Sequence, residues 1–298
     1  MPHVLTLIAP PGGLSAPLIA RIRTALQALG ATVGTPDWLS PEEAADLPFE
    51  GLAPEQAAAA AGSALEGAPV DTIAQGAEGR RKRLLLADMD STIVTTETLD
   101  EIAAYAGLKE RIAEITRRSM NGELDFRQAL TERVGMLKGL PVSALERTWE
   151  ATAMTPGAAE LVATMRTNGA HCALVSGGFT FFTGRVAERL GFHAHYSNTL
   201  GIADGKLTGR VEEPILDRDA KLATLKRLSA ELGLPLSATL TVGDGANDLA
   251  MIQAAGLGVA FRAKPVVAAA ARARVDHADL RALLFAQGYR AAEIVSRI

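Results

Sequence analysis

Apolar positions along the chain follow two different periods, and the change between them divides it. From residue 84 onward, short unbroken apolar runs recur at 84–87, 172–175 and 239–242, with weaker candidates at 258–260 and 274–276. Runs of this kind suit strands buried on both faces of a parallel sheet. Between them the spacing becomes helical, over residues 156–168, 180–190, 218–232 and 248–255,. Strands alternating with helices predict a doubly wound, mostly parallel α/β sheet with its ligand beyond the C-terminal strand ends. Two stretches break the alternation. Residues from 98 to about 155 are helical throughout, with Phe126, Leu130, Val134 and Leu137 as one apolar stripe, and predict a helical insertion over the strand ends. Residues 199–211 carry Asp204-Gly205 between two short arms, the signature of a hairpin,.

The first 75 residues have a different rhythm. A strand at 4–8 precedes a helix marked by Leu18, Ile19, Ile22, Leu26 and Leu29. Strands near 31–38 and 47–49, an alanine-rich helix at 54–65 and a strand near 70–73 complete a βαββαβ pattern. Residues 76–83 then form a linker ending in Arg80-Arg81-Lys82-Arg83, a charge run expected on a solvated surface,. The predicted organisation is a small α+β domain (1–75), the linker, and an α/β unit (84–298) with its insertion at about 98–155.

Bulk composition narrows the class. With 298 residues, 48% hydrophobic and 21% charged, the chain can bury a substantial core,. A net charge of -4 disfavours a nucleic-acid partner,. The single cysteine, Cys172, lies in an apolar run and predicts a buried, inert thiol in a reducing compartment,. No basic leader precedes the first apolar stretch, and no apolar run approaches the roughly 20 residues needed to cross a bilayer. A cytoplasmic chain with no membrane partner is expected, and the five histidines show no ligand spacing.

Chemistry concentrates at three predicted strand ends. Asp88-Met89-Asp90-Ser91-Thr92 follows the first buried run. Two carboxylates two residues apart suit attack on phosphorus, one as nucleophile and the other as proton donor to the leaving alkoxide. An anion approaching an anionic phosphate needs a hard cation such as Mg²⁺ to offset the charge. A calcium loop is excluded, because Ile93 stands where glycine is needed and Leu99 where the bidentate glutamate belongs,. Gly243-Asp244-Gly245-Ala246-Asn247-Asp248 brings further carboxylates to the same sheet edge. Val175-Ser176-Gly177-Gly178 predicts a strand running into a helix N-terminus that could cradle a phosphate,. Leu174 occupies the position where a serine nucleophile elbow requires glycine, which makes Ser176 a binder,.

At these residues, and at Glu97, Lys221 and Ala263-Lys264-Pro265, the chain resembles the haloacid dehalogenase-like phosphohydrolases, and within them the phosphoserine phosphatases. The match runs from about residue 84 to the C-terminus. It implies a core of that family's fold and hydrolysis of O-phospho-L-serine, the last step of serine biosynthesis, through an aspartyl-phosphate on Asp88 with Asp90 as general acid and base. It implies Mg²⁺ on Asp88, Asp244 and the Asp90 carbonyl, with Asp248 in support. Ser176 and Gly177 would bind phosphoryl oxygens, Asn247 would contact the phosphate region, and Lys221 would offset the shared negative charge. Glu97 and Arg133 would take the substrate ammonium and carboxylate, and Met120 and Phe126 would close over it. The N-terminal pattern resembles ACT-like domains, which implies a regulatory role, serine binding or homodimer formation. Competing readings are a phosphatase for another ester, such as phosphohomoserine or a sugar phosphate, and an amino-acid sensor without catalysis.

Overall fold

The computed structural model describes residues 1–216 and 218–296, apart from the side chains of Met120 and Arg218. The N-terminal unit runs β1 (His3–Ile8), α1 (Ala16–Ala28), β2 (Thr32–Val33), β3 (Asp37–Ser40), β4 (Ala44–Glu50), α2 (Pro54–Ala64) and β5 (Asp71–Gly76). Ser15 caps α1 by accepting from the Leu18 N–H, and Ile19, Ile22 and Leu26 form its buried stripe,. The antiparallel sheet has the order β2-β4-β1-β5, with β3 added on β4. Residues 31–50 thus hold three strands where the sequence pattern gave two, because the 40–43 turn folds β3 back onto β4. Strand β5 also extends to Gly76, which shortens the connecting segment.

The second unit begins with β6 (Leu84–Ala87) and passes into four helices: α3 (Thr98–Ala104), α4 (Lys109–Met120), α5 (Phe126–Met136) and α6 (Ser143–Ala151). An antiparallel bridge between Val94 and Met154 pins the neck of this insertion. The chain continues through α7 (Ala158–Thr167), β7 (His171–Phe179), α8 (Thr180–Leu190), and the hairpin β8 (Ala194–Ala203) and β9 (Lys206–Glu212). Asp204 and Gly205 both take positive φ, as a two-residue hairpin turn requires,. Helix α9 (Arg218–Glu231), β10 (Thr239–Gly243), α10 (Leu249–Ala254), β11 (Leu257–Phe261), α11 (Pro265–Ala270), β12 (Ala273–Val275) and α12 (Ala282–Ala286) complete it.

The sheet order is β12-β11-β10-β6-β7-β8-β9, parallel except for β9. Strand β6 lies at the centre, with β10 on one side and β7 on the other. The strand order changes direction there, the position at which open α/β sheets form a crevice beyond their C-terminal ends. Leu84, Leu85, Leu86 and Ala87 are all fully buried, which explains the unbroken apolar run,. No helix among the described residues is long and apolar enough to cross a membrane. Cys172 is buried in β7, and burial pushes its thiol up to about 12.

In the Arg80–Arg83 run, Arg81 and Arg83 are exposed as expected, whereas Arg80 and Lys82 depart from the sequence expectation. Arg80 forms an ion pair with Asp46 at 2.6 Å, also donates to Thr6, and reaches the carbonyls of Phe285 and Ala286. Lys82 is buried and donates to the carbonyls of Gly79 and Ser237. These charges are drawn inward because the two units pack together. Ile8, Leu39, Ala44 and Ile73 of the N-terminal sheet join the same apolar cluster as the α/β core. Asp71 adds a polar anchor by accepting from the N–H groups of Asp276, His277 and Ala278.

Arg80→Ala is expected to lower stability by about 3 kcal/mol, because it strands the buried Asp46 carboxylate. Arg227→Ala, which breaks an exposed pair on α9, is expected to cost under about 1 kcal/mol,. Urea unfolding of both variants checks the contrast. Native protein is expected to leave Cys172 unmodified by iodoacetamide, with one thiol reacting after denaturation.

Candidate active site

Three loops meet at the C-terminal edge of the sheet. Strand β6 delivers Asp88, whose N–H donates to the Val242 carbonyl of the neighbouring β10 at 2.9 Å. The next residues form a tight irregular turn in which Ser91 takes φ 53°, a left-handed conformation that costs on the order of 1 kcal/mol or more for a non-glycine residue,. That turn is held by the Ser91 N–H donating to the Thr96 carbonyl and the Ser91 hydroxyl donating to Glu97 at 2.7 Å. Asp90 turns inward and accepts from the Thr98 N–H at 2.9 Å.

Strand β10 delivers Asp244 and the turn leading to Asp248. Ligand oxygens of Asp88, Asp244 and Asp248 all lie within 4.8 Å of one another, and all three residues are buried. Lys221, fully buried on α9, donates to Asp88 Oδ1 at 2.8 Å and to Asp248 Oδ1 at 2.6 Å. The second Asp248 oxygen accepts from the Gly245 N–H, so Asp248 has both oxygens engaged by the protein. Asp244 Oδ2 is buried without a hydrogen bond, and the Lys264 ammonium lies 3.5 Å from it.

Charge is unbalanced here. Burial, and then the Asp248 charge, raise the Asp88 carboxyl well above the carboxylate range despite the offset from Lys221. Asp244 is raised by burial and by Glu97. Burial and Glu97 push Asp90 up to about 7. For Lys221, burial alone would push the ammonium down, but Asp248 and Asp88 outweigh it and hold it charged. An Asp244 oxygen without a hydrogen bond, beside crowded carboxylates, fits a small hard cation with oxygen ligands,. Asp88 and Asp244 are the residues with donor atoms left over, while Asp248 buttresses the site through Lys221.

The third loop differs from its sequence expectation. Strand β7 does not end at Val175: it continues to Phe179, and α8 starts at Thr180. Its pairing with β8 jumps from Val175–Tyr196 to Phe179–Asn198, so residues 176–178 bulge from the ladder toward Asp90,. The cradle is therefore this bulge and not a helix N-terminus at Ser176. Ser176 Oγ accepts from the Gly178 N–H and lies 3.5 Å from Asp90 Oδ2. Side chains are excluded at both glycines. A Cβ at Gly178 would meet Asp90 Oδ2 at 2.7 Å, and one at Gly177 would meet the Phe126 ring at 2.6 Å. Asn198, which the sequence reading passed over, fixes the bulge by donating to the Gly177 carbonyl.

One small cavity collects most of the remaining candidates. Asp88, Asp90, Glu97 and Ser176 form its polar floor, and Phe126, Arg133, Gly177 and Asn247 also line it. Among the described residues, the buried Asn247 Oδ1 has no hydrogen-bond partner. Leu130 of the predicted apolar stripe adds an apolar wall, together with Leu99 and Phe179, which the sequence did not mark as cavity residues. Lys221, Asp244 and Asp248 lie outside this lining, among the buried groups behind the strand ends. Met120 ends α4, and its side chain lies outside the described residues.

Lys221→Met is expected to destabilise the protein by about 3 kcal/mol at pH 8, because Asp88 and Asp248 lose their buried counter-charge. A carboxyl raised in the folded state binds its proton more tightly there than when unfolded, so the loss fades as pH falls toward the ordinary value of 3.8,. Urea midpoints of variant and parent at pH 8 and pH 5.5 measure this. A loss as large at the lower pH would refute the charge argument.

The chain has counterparts among known proteins. The family model for haloacid dehalogenase-like hydrolases matches residues 85–253. Phosphoserine phosphatase from Streptomyces coelicolor is 43% identical over 241 residues, covering 81% of this chain and 59% of that protein. The chain thus spans about three fifths of that relative's length. Phosphoserine phosphatase from Streptococcus thermophilus is 45% identical over 217 residues, covering 73% of this chain and 97% of that one. A solved phosphoserine phosphatase, a phospho-aspartyl intermediate analogue, is 41% identical and superposes with a TM-score of 0.66 over 69% of this chain and 98% of its own. With more than half of its length matched by that family model, and with Asp88 and the acidic 244–248 loop at adjacent strand ends, the chain belongs to the haloacid dehalogenase-like hydrolases.

Proposed function

We propose that this protein hydrolyses O-phospho-L-serine to L-serine and phosphate through an aspartyl-phosphate on Asp88. The observation that carries this reading is that Asp88, Asp90 and Ser176 line one cavity together with Glu97 and Arg133. One acid and one base beside a phosphate-handling floor complement the ammonium and carboxylate of an amino-acid ester, and an arginine can grip a carboxylate through two parallel hydrogen bonds. Similarity to phosphoserine phosphatases along nearly the whole length of the Streptococcus relative supports the same substrate.

In this reading the free oxygen of Asp88 attacks phosphorus, and the bond from phosphorus to the serine oxygen breaks. Asp90 gives its proton to that oxygen, a role suited to a carboxyl held up near 7 by burial and Glu97,. Asp90 then takes a proton from the water that attacks the phosphorus of the aspartyl-phosphate, and Asp88 is regenerated as phosphate leaves. Ser176 and the Gly177 backbone bind phosphoryl oxygens, Asn247 contacts the phosphate, and Lys221 offsets the charge on Asp88. Mg²⁺, held by Asp88, Asp244 and the Asp90 carbonyl with Asp248 in support, would supply the positive charge that lets one anion approach another. Phe126 and Met120 would close the cavity. For the N-terminal unit we propose an ACT-like role in association or serine binding, tested by the mass of the full chain with and without L-serine.

Purified protein is expected to release phosphate from phosphoserine with Mg²⁺ and to lose that activity in excess chelator. A sugar phosphate turned over in preference to phosphoserine would refute the substrate. Asp88→Asn is expected to lower turnover by roughly 10³-fold or more and to abolish phosphoenzyme labelling. Undiminished labelling would remove Asp88 as nucleophile.

A further inference from the structure

The insertion holds a buried polar chain that begins at Arg133 and leads away from the cavity. Arg133 on α5 donates from Nη1 to Thr116 Oγ1 on α4 at 2.8 Å. Thr116 lies 2.6 Å from Asp100 Oδ1 on α3 and 3.0 Å from the Ile112 carbonyl. A hydroxyl has one proton. Since its oxygen already accepts from the guanidinium, that proton goes to the shorter, charged partner, Asp100. All three side chains are buried, and of the three only Arg133 lines the cavity.

We propose that Thr116 and Asp100 are positioning residues that set the selectivity of the site for a substrate carboxylate; the inference rests on the phosphoserine reading above. Three features make the arrangement more than a stabilising contact. First, the guanidinium is fixed through two of its three nitrogens, by Nε donating to the Ala129 carbonyl at 3.1 Å and by Nη1 donating to Thr116. Among the described residues Nη2 has no partner, and it remains for a ligand on a side chain that lines the cavity. Second, Thr116 stands between the two charges. A direct Arg133–Asp100 pair would consume the guanidinium fork, whereas a hydroxyl spacer lets Asp100 offset the buried charge at one remove. Third, the chain joins three separate helices, so the guanidinium keeps its direction only while α3, α4 and α5 keep their packing.

The test uses the full-length protein, phosphoserine, and phosphoethanolamine, which keeps the phosphate and ammonium but lacks the carboxylate. Thr116→Val keeps the shape of the side chain and removes the hydroxyl. It is expected to raise KM for phosphoserine about tenfold, the lower end of what a hydrogen bond to a charged group contributes, with kcat within about twofold. KM for phosphoethanolamine is expected to stay within about twofold. Thr116→Ser, which keeps the hydroxyl, is expected to restore the parent selectivity. Should Thr116→Val be recovered unfolded, Asp100→Asn supplies the same comparison, with a smaller rise confined to phosphoserine. Equal losses on both substrates, or a Ser variant no better than the Val variant, overturn the positioning role. An unmodified protein that prefers phosphoethanolamine overturns the phosphoserine reading instead, so the two failures are distinct.

Discussion

A lysine ammonium clamped between two aspartates is the contact on which the site depends. Lys221 has no exposed surface, and an ammonium in that position is tolerable only with well-placed counter-charges,. Asp88 and Asp248 supply them from the ends of two different strands, while the lysine comes from a helix more than a hundred residues downstream of Asp88. The clamp therefore ties β6, α9 and the loop after β10 into one unit. It also orients Asp88, the proposed nucleophile. With Oδ1 of Asp88 held by Lys221, Oδ2 is the oxygen left for a cation or for phosphorus. The remaining excess of negative charge, centred on Asp244, makes the site complementary to a divalent cation and to the dispersed charge of a phosphoryl group in transfer,.

Much of this was legible in the sequence because burial on two faces leaves a plain signature. The runs at 84–87 and 239–242 could not have been surface strands, and the acidic residues directly after them had to lie at the sheet edge. The hairpin at Asp204-Gly205 was legible for an equally local reason, since few residues accept positive φ. Features that depend on a distant partner were not legible. Lys221 sits in a charged helix start that looks solvated, and only the carboxylates at 88 and 248 draw it inside. The bulge at 176–178 arises from the pairing of β7 with β8, and nothing in Ser-Gly-Gly itself distinguishes it from a helix start. Asp100 and Thr116 belong to no motif, and their link appears only when three helices pack.

The charged linker shows the same rule from the opposite side. Four consecutive basic residues suggest solvent, yet Arg80 and Lys82 are drawn to acids and carbonyls on the units they connect. The N-terminal unit presents Asp37, Glu43, Asp46 and Asp71 to its neighbour. Against them stand Arg290, Arg281, Arg80 and the N–H groups of residues 276–278. Complementary charge around a shared apolar patch fixes the orientation of two units more narrowly than apolar packing could, because each pair tolerates little displacement.

Helix geometry places two of the cavity's lining residues on one face of the insertion. Phe126 and Arg133 are seven residues apart on α5, about two turns, and therefore lie on one face. The Phe126 ring rests where a Cβ on Gly177 would be, so the absence of a side chain there sets how closely α5 can approach the phosphate loop. A group added at 177 would meet the Phe126 ring, which stands about two turns from Arg133 on the same helix,. Arg133 is in turn tied through Thr116 to α4 and α3. A glycine on the core and a hydroxyl in the insertion thus both bear on α5: the first leaves room for the Phe126 ring and the second holds the Arg133 guanidinium.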